Sequence, residues 1–421
     1  MKAADQMRVL LPPARRARRR GRRPLRWPRR QPPVYSPITY GALLDAAATT
    51  VRLRADPRPA LAARLRDAYH ADCATLCGSG TQALQVAFRL ARERTGGELV
   101  AALPAFTCYD VASAAVGVES RIMLYDLEPE TLLPDLDDVR QVLRRGARVL
   151  VVSPLFGYSP DWDVLSALAA EHGALLIEDA AQGHGSSWKG RPLGSCAPAS
   201  ILSFGRGKGW TGGGGGALLL RDLVPPPPLP RAGLAAGLRP LLAAAAQRAL
   251  SSPRLYALPA AIPWLELGET RYRPASPPAG MTRGAAAIIT RSRQAAEEEA
   301  MARRHAGSRW QTAIPPGRAV RPVRPQAGAE PGYLRFPLRI AGGIARFPGL
   351  GEATRLGLAP VYPSPLSTLT EIRDRLERHR PSWPGAEELA ESLVTLPTHS
   401  YLTETDRTRL LRLVNAYSAA A

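Results

Sequence analysis

Ser203 to Leu220 reads SFGRGKGWTGGGGGALLL, one lysine set among eight glycines. The apolar ASILSF (199–204) reads as a strand, and Lys208 follows its end after a short loop. Lysine is rare here: Lys2, Lys189 and Lys208 are the only three, against 53 arginines. Whatever favoured arginine elsewhere spared position 208. A lysine amine can lose its proton and attack a carbonyl to form a Schiff base, which a guanidinium cannot do. The plainer reading is an ordinary surface cation, and composition alone does not separate the two.

Upstream of that loop, from about 60 to 220, helical and strand signals alternate. LAARLRDAYHA (61–71), GTQALQVAFRLARERTG (80–96) and DWDVLSALAAEHG (161–173) have helical spacing, the last with Asp161 as cap and Gly173 as stop. LVAALPA (99–105), RIMLYDL (121–127), RVLVVSPL (148–155) and ALLIEDA (174–180) are short apolar runs. Alternation of this kind predicts an α/β fold, a mostly parallel sheet flanked by helices. Downstream, VPPPPLP (224–230) breaks the pattern. A long helix is expected at 285–310, a strand at 333–340, and helices near 385–393 and 404–418. The expected organisation is a basic disordered arm (1–33), a large α/β domain (34–221), an irregular Pro/Ala-rich connection (222–280) and a smaller C-terminal α+β domain (281–421).

Of the net charge of +20, residues 1–30 contribute +11, from Lys2 and eleven arginines against Asp5. Such an arm suits nucleic acid or acidic lipid, but is more often solvated and disordered. No aromatic-interleaved basic motif, helix-turn-helix or zinc spacing accompanies it, so nucleic-acid binding is not expected. Neither a secretory signal nor a membrane-spanning run is legible. The apolar stretch 238–265 is interrupted by Arg248, Arg254 and prolines, leaving at most a shallow membrane contact. Cys73, Cys77, Cys108 and Cys196 form no CxxC pair and read as free thiols in a reducing cytoplasm. No metal site is expected.

Ligands of open parallel sheets bind at the carboxyl ends of the strands, where Asp179 and Lys208 both fall. A lysine there can hold an aldehyde cofactor as an imine, while a carboxylate keeps the cofactor's ring nitrogen protonated. CGSGTQAL (77–84) leads small residues into a helix, whose free amides suit a phosphate. The alternative for that segment is a simple capped helix after a glycine turn.

Together, GSGTQAL, PAFTCYDVASA, EDAAQGHG and SFGRGKGWTGGGGGALLL resemble the DegT/StrS-type, pyridoxal-phosphate-dependent sugar aminotransferases of fold type I. The resemblance covers about 60–220, resumes at RFPLRI and TLPTHSYLTETD, and is poor over 222–330. It implies that Lys208 carries the cofactor and shuttles the proton, and that Asp179 pairs with the ring nitrogen. Gln182 would contact the phenolic oxygen; Gly80, Thr81 and Ser203 would hold the phosphate. The aromatic that covers the ring should come from PAFTCY, yet Cys108 stands in its place; either Tyr109 substitutes or the thiol packs on the ring. Gly209 replaces a frequent asparagine, and the glycines 212–216 replace a pattern that usually contains an acid. The glycines are read as room for backbone to pass beside the cofactor. His184 reads as structural, while His399 and Arg206 read equally as site or scaffold. The resemblance further implies a cytoplasmic homodimer that moves an amino group from glutamate or glutamine to a keto-sugar, expected to be nucleotide-linked, in polysaccharide or aminosugar synthesis. The alternatives are a cofactor-binding regulatory homologue, or a sugar dehydratase, which would resemble this chain with histidine in place of Lys208.

Overall fold

A computed structural model describes residues 29–258, 260 and 270–420. The apolar runs form a seven-stranded sheet of β1 (Cys73–Cys77), β2 (Val100–Pro104), β3 (Arg121–Tyr125), β4 (Val149–Val152), β5 (Leu175–Asp179), β6 (Ala199–Ser203) and β7 (Gly216–Leu220). Their order is β1-β7-β6-β5-β4-β2-β3, and β7 alone runs against its neighbours. Strands alternate their faces, so Val149 and Val151 enter one buried cluster while Leu150 and Val152 enter another. Both faces are covered, which is why these strands read as unbroken apolar runs.

Six helices belong to this lobe: α1 (Tyr40–Thr50), α2 (Arg58–Ala68), α3 (Gly80–Thr95), α4 (Tyr109–Val116), α5 (Leu136–Arg144) and α6 (Trp162–Glu171). The expected cap of α6 is present: Asp161 accepts the amides of Asp163 at 3.0 Å and Val164 at 3.1 Å. Gly173, just beyond, takes the left-handed φ of 61°.

The connection expected to be irregular contains α7 (Leu234–Ala249) and α8 (Pro253–Tyr256). Its Ala/Leu composition has high helix propensity, and α7 packs on α1 and on α9 (Arg283–Ala313), which outweighs the internal Pro240. α9 does not respect the expected boundary at 281. Ala285, Ala286 and Ile289 are buried with the large lobe, whereas Trp310 lies in the core that continues into the C-terminal lobe. That lobe is α+β as expected. β8 (Val320–Pro322), β9 (Phe336–Ile340), β10 (Ala359–Pro360) and β11 (Leu393–Leu396) form an antiparallel sheet of order β8-β9-β11-β10. α10 (Leu350–Arg355), α11 (Pro384–Ser392) and α12 (Glu404–Ala420) complete it.

The arm assigned to 1–33 lies outside the described residues up to 28, but its last residues are fixed rather than disordered. Arg30 N–H donates to the Pro253 carbonyl at 2.9 Å, and Gln31 Nε2 to Asp406 Oδ2 at 2.8 Å. The Pro32 carbonyl accepts from His399 at 3.0 Å, and the Pro33 carbonyl from Arg335. Buried polar partners on the C-terminal lobe hold what composition alone reads as solvated. No helix among the described residues is long and apolar enough to cross a membrane.

Candidate active site

β5 and β6 are parallel neighbours, and their carboxyl ends carry Asp179 and Ser203. Asp179 Oδ2 accepts from Ser153 Oγ at 3.3 Å, and Oδ1 from the Ala181 amide at 3.2 Å. Burial raises the Asp179 pKa, while the Lys208 charge pulls it down. The same charge acts on Cys108, whose thiol burial pushes up to about 11. Lys208 itself is half-buried and makes no hydrogen bond or ion pair among the described residues. Its amine therefore stands near a carboxylate without being consumed by it.

Gln182 is held at both ends of its amide. Oε1 accepts from the Phe156 N–H at 2.9 Å, and Nε2 donates to Tyr362 Oη at 2.9 Å. A backbone N–H can only donate, so the amide orientation follows from its partner.

Ser203 meets the first turn of α3. A Cβ on Gly80 would lie 2.8 Å from Ser203 Cβ and 3.0 Å from its Oγ. Ser79 caps the helix by accepting from Gln82 N–H at 3.1 Å, which leaves the Gly80 and Thr81 amides at a positive helix end. Gly216 presses directly on the Ser79 carbonyl and the Gly80 nitrogen, with no room for a side chain. Part of the glycine run thus seats the helix terminus, a packing role beyond the expected one. A small pocket is lined by Ala180, Ala181, His184, Ser203, Phe204 and Lys208, among others.

The remaining expected residues divide. Tyr109 is buried, and its hydroxyl is engaged by Ser364, at 2.9 Å from Oγ and 3.2 Å from N–H. The Lys208 charge acts on the neighbouring Cys108. His184 lines the pocket. It is held near Arg303, and burial followed by that guanidinium depresses its pKa to about 3. His399 braces Pro32, and Arg206 is exposed. All four cysteines are free, and no cluster among the described residues could hold a metal.

Sequence reasoning missed Ser153, Phe156, Arg303 and Tyr362. Arg303 is fully buried on α9, and Gly209 faces it: with φ at 78°, a Cβ there would sit 3.0 Å from a guanidinium nitrogen. A side chain at 209 would press on this guanidinium.

Residues 52–223 match the model of the DegT/DnrJ/EryC1/StrS aminotransferase family, which bears out the resemblance over that span. An L-glutamine:2-deoxy-scyllo-inosose aminotransferase of Streptoalloteichus tenebrarius is 35% identical over 135 residues, 32% of this chain and 31% of the relative. A pleiotropic regulatory protein of Geobacillus stearothermophilus is 28% identical over 128 residues, 30% of this chain and 34% of that one. The match thus spans about a third of the length of these curated relatives. Among solved structures, a sugar aminotransferase of Micromonospora echinospora superposes with a TM-score of 0.71 at 19% identity, over 91% of this chain and 99% of that one. Spr1654 of Streptococcus pneumoniae, solved in a PLP-form, gives 0.72 at 19%, over 93% and 99%. The fold is that of these fold type I structures across nearly the whole chain.

Proposed function

We propose that this protein is a pyridoxal-phosphate-dependent aminotransferase that moves an amino group from glutamine or glutamate to the ketone of a sugar. The observation that carries the reading is the Lys208 amine, without a hydrogen bond or ion pair among the described residues, acting on the half-buried Asp179 carboxylate at the end of the neighbouring strand. The residues fit the cofactor. The α3 terminus with Gly80, Thr81 and Ser203 would hold its phosphate, Gln182 Nε2 its phenolic oxygen and Asp179 its ring nitrogen. Bound pyridoxal phosphate supplies an electron sink next to the reacting carbon. Asp179, whose pKa burial raises and the nearby Lys208 charge lowers, would pair with the protonated nitrogen. Lys208 Nζ would serve as the acid-base group that moves a proton between the substrate carbon and the cofactor carbon across the nitrogen they share.

Two readings go further than this site. The inosose aminotransferases among the relatives support a polyhydroxylated ring ketone as acceptor, and a nucleotide-linked sugar is the second arm to assay. Exposed Leu44 on α1 and Leu242 on α7 support a homodimer, and four free thiols support a reducing cytoplasm. The regulatory relative favours a non-catalytic alternative, which turnover decides. The test is absorbance followed by borohydride reduction and peptide mapping. Visible absorbance from added pyridoxal phosphate should bleach, with the label fixed at Lys208, and Lys208→Arg should abolish both label and turnover. Turnover by Lys208→Arg within tenfold of the parent would overturn the assignment.

A further inference from the structure

We infer that Tyr362 supplies the aromatic face over the cofactor ring that Cys108 cannot provide. The inference rests on the pyridoxal-phosphate reading above and deepens it. Cys108 is the second residue after Phe106 and directly precedes Tyr109, and the ring of Tyr362 packs against both of those neighbours. Its centroid is 5.3 Å from that of Phe106, edge-on, and 6.2 Å from that of Tyr109. Its hydroxyl oxygen accepts a hydrogen bond from Gln182 Nε2 at 2.9 Å, on the amide expected to meet the cofactor's phenolic oxygen. The charges of Cys108 and Asp179 both act on that hydroxyl, whose pKa burial, the larger cause, raises well above its usual value. One phenol from the C-terminal lobe therefore stands among three positions assigned to the cofactor ring: 108, 179 and 182.

The segment that carries it is held by bonds within the protein. Ser364 is bonded to the Tyr109 hydroxyl, and Leu366 N–H donates to the Ala105 carbonyl at 2.8 Å. Pro363 and Pro365 restrict the backbone on either side of Ser364. A ring held this way costs little ordering on binding. The competing explanation is that Tyr362 only joins the two lobes. In that case its loss would lower stability and leave cofactor affinity alone.

The test titrates cofactor-free full-length protein with pyridoxal phosphate, reading visible absorbance and equilibrium dialysis, with melting temperature followed in parallel. Tyr362→Phe keeps the ring and should stay within about threefold of the parent Kd. Tyr362→Leu, which fills much of the same space without a ring, should weaken binding about tenfold or more. Adding Cys108→Phe to Tyr362→Leu should recover most of that loss by restoring an aromatic ring at the position that lacks one. A Tyr362→Leu Kd within twofold of the parent, whatever its melting temperature, would overturn the inference, as would a double variant that folds and recovers nothing. Failure of the parent itself to bind pyridoxal phosphate would instead bring down the functional reading.

Discussion

Glu178 and Asp179 are adjacent carboxylates with opposite tasks, because a strand turns successive side chains to opposite faces. Glu178 is fully buried and accepts from Gly194 N–H at 2.6 Å, Cys196 N–H at 2.9 Å and Ser200 Oγ at 2.8 Å. Arg221 sits beside it, donating to the same Ser200 hydroxyl at 3.1 Å. Asp179 has fewer partners and shares its surroundings with Lys208. Asp179→Asn should leave the melting temperature nearly unchanged and reduce turnover by about 100-fold or more, the scale of lost proton control. Glu178→Gln should do the reverse, since replacing a buried charged acceptor costs about 1.5–3 kcal/mol per bond. Thermal melts and steady-state rates on the two variants separate the roles. The motif EDAAQ made Asp179 legible in the sequence. Nothing in it told that Glu178 anchors the turn at 194–196, since those partners lie some twenty residues on.

At the scale of elements, helix α11 is set by a carboxylate from the other lobe. Asp126, just after β3, accepts from Gly385 N–H at 2.9 Å and Ala386 N–H at 2.8 Å, the free amides of the first turn. Trp383 Nε1 adds a bond to the Leu124 carbonyl at 2.9 Å. Gly385 lies so close to the Leu127 carbonyl that no side chain fits. Gly385→Ala should therefore push the helix off its cap and destabilise the protein by about 1–3 kcal/mol, read from denaturant unfolding. Elements with a clean period were legible: β2 to β6, α3, α6 and α9 fall where the apolar spacing put them. α7 was not, because Pro240 and its flanking prolines argue locally for a break while the packing that overrides them comes from α1 and α9. Tyr362 was illegible for a related reason. VYPSP carries no motif, and its meaning comes from Gln182, 180 positions away.

At the scale of the whole molecule, residues 29–33 tie the two chain regions together, and one tie is sensitive to acid. The neutral His399 ring donates from Nε2 to the Pro32 carbonyl, and burial depresses its pKa to about 4. The unfolded chain binds a proton near pH 6.5, the folded one only near 4, so stability from this histidine is full above about 6.5 and lost as pH falls toward 4. Melting temperature should fall over that window, by an amount equivalent to as much as roughly 3 kcal/mol at its lower end. His399→Gln should flatten this part of the profile, and a slope unchanged by that substitution would assign the acid sensitivity elsewhere. The same strap also bears on the order of assembly. Gln31 finds its partner in Asp406, 375 residues later. At about 5–20 residues per second on a ribosome, the early segment waits on the order of 20–75 s for its dock to be synthesised. The large lobe can form in that interval, and the Gln31–Asp406 tie of the strap closes late, only after position 406 has been made.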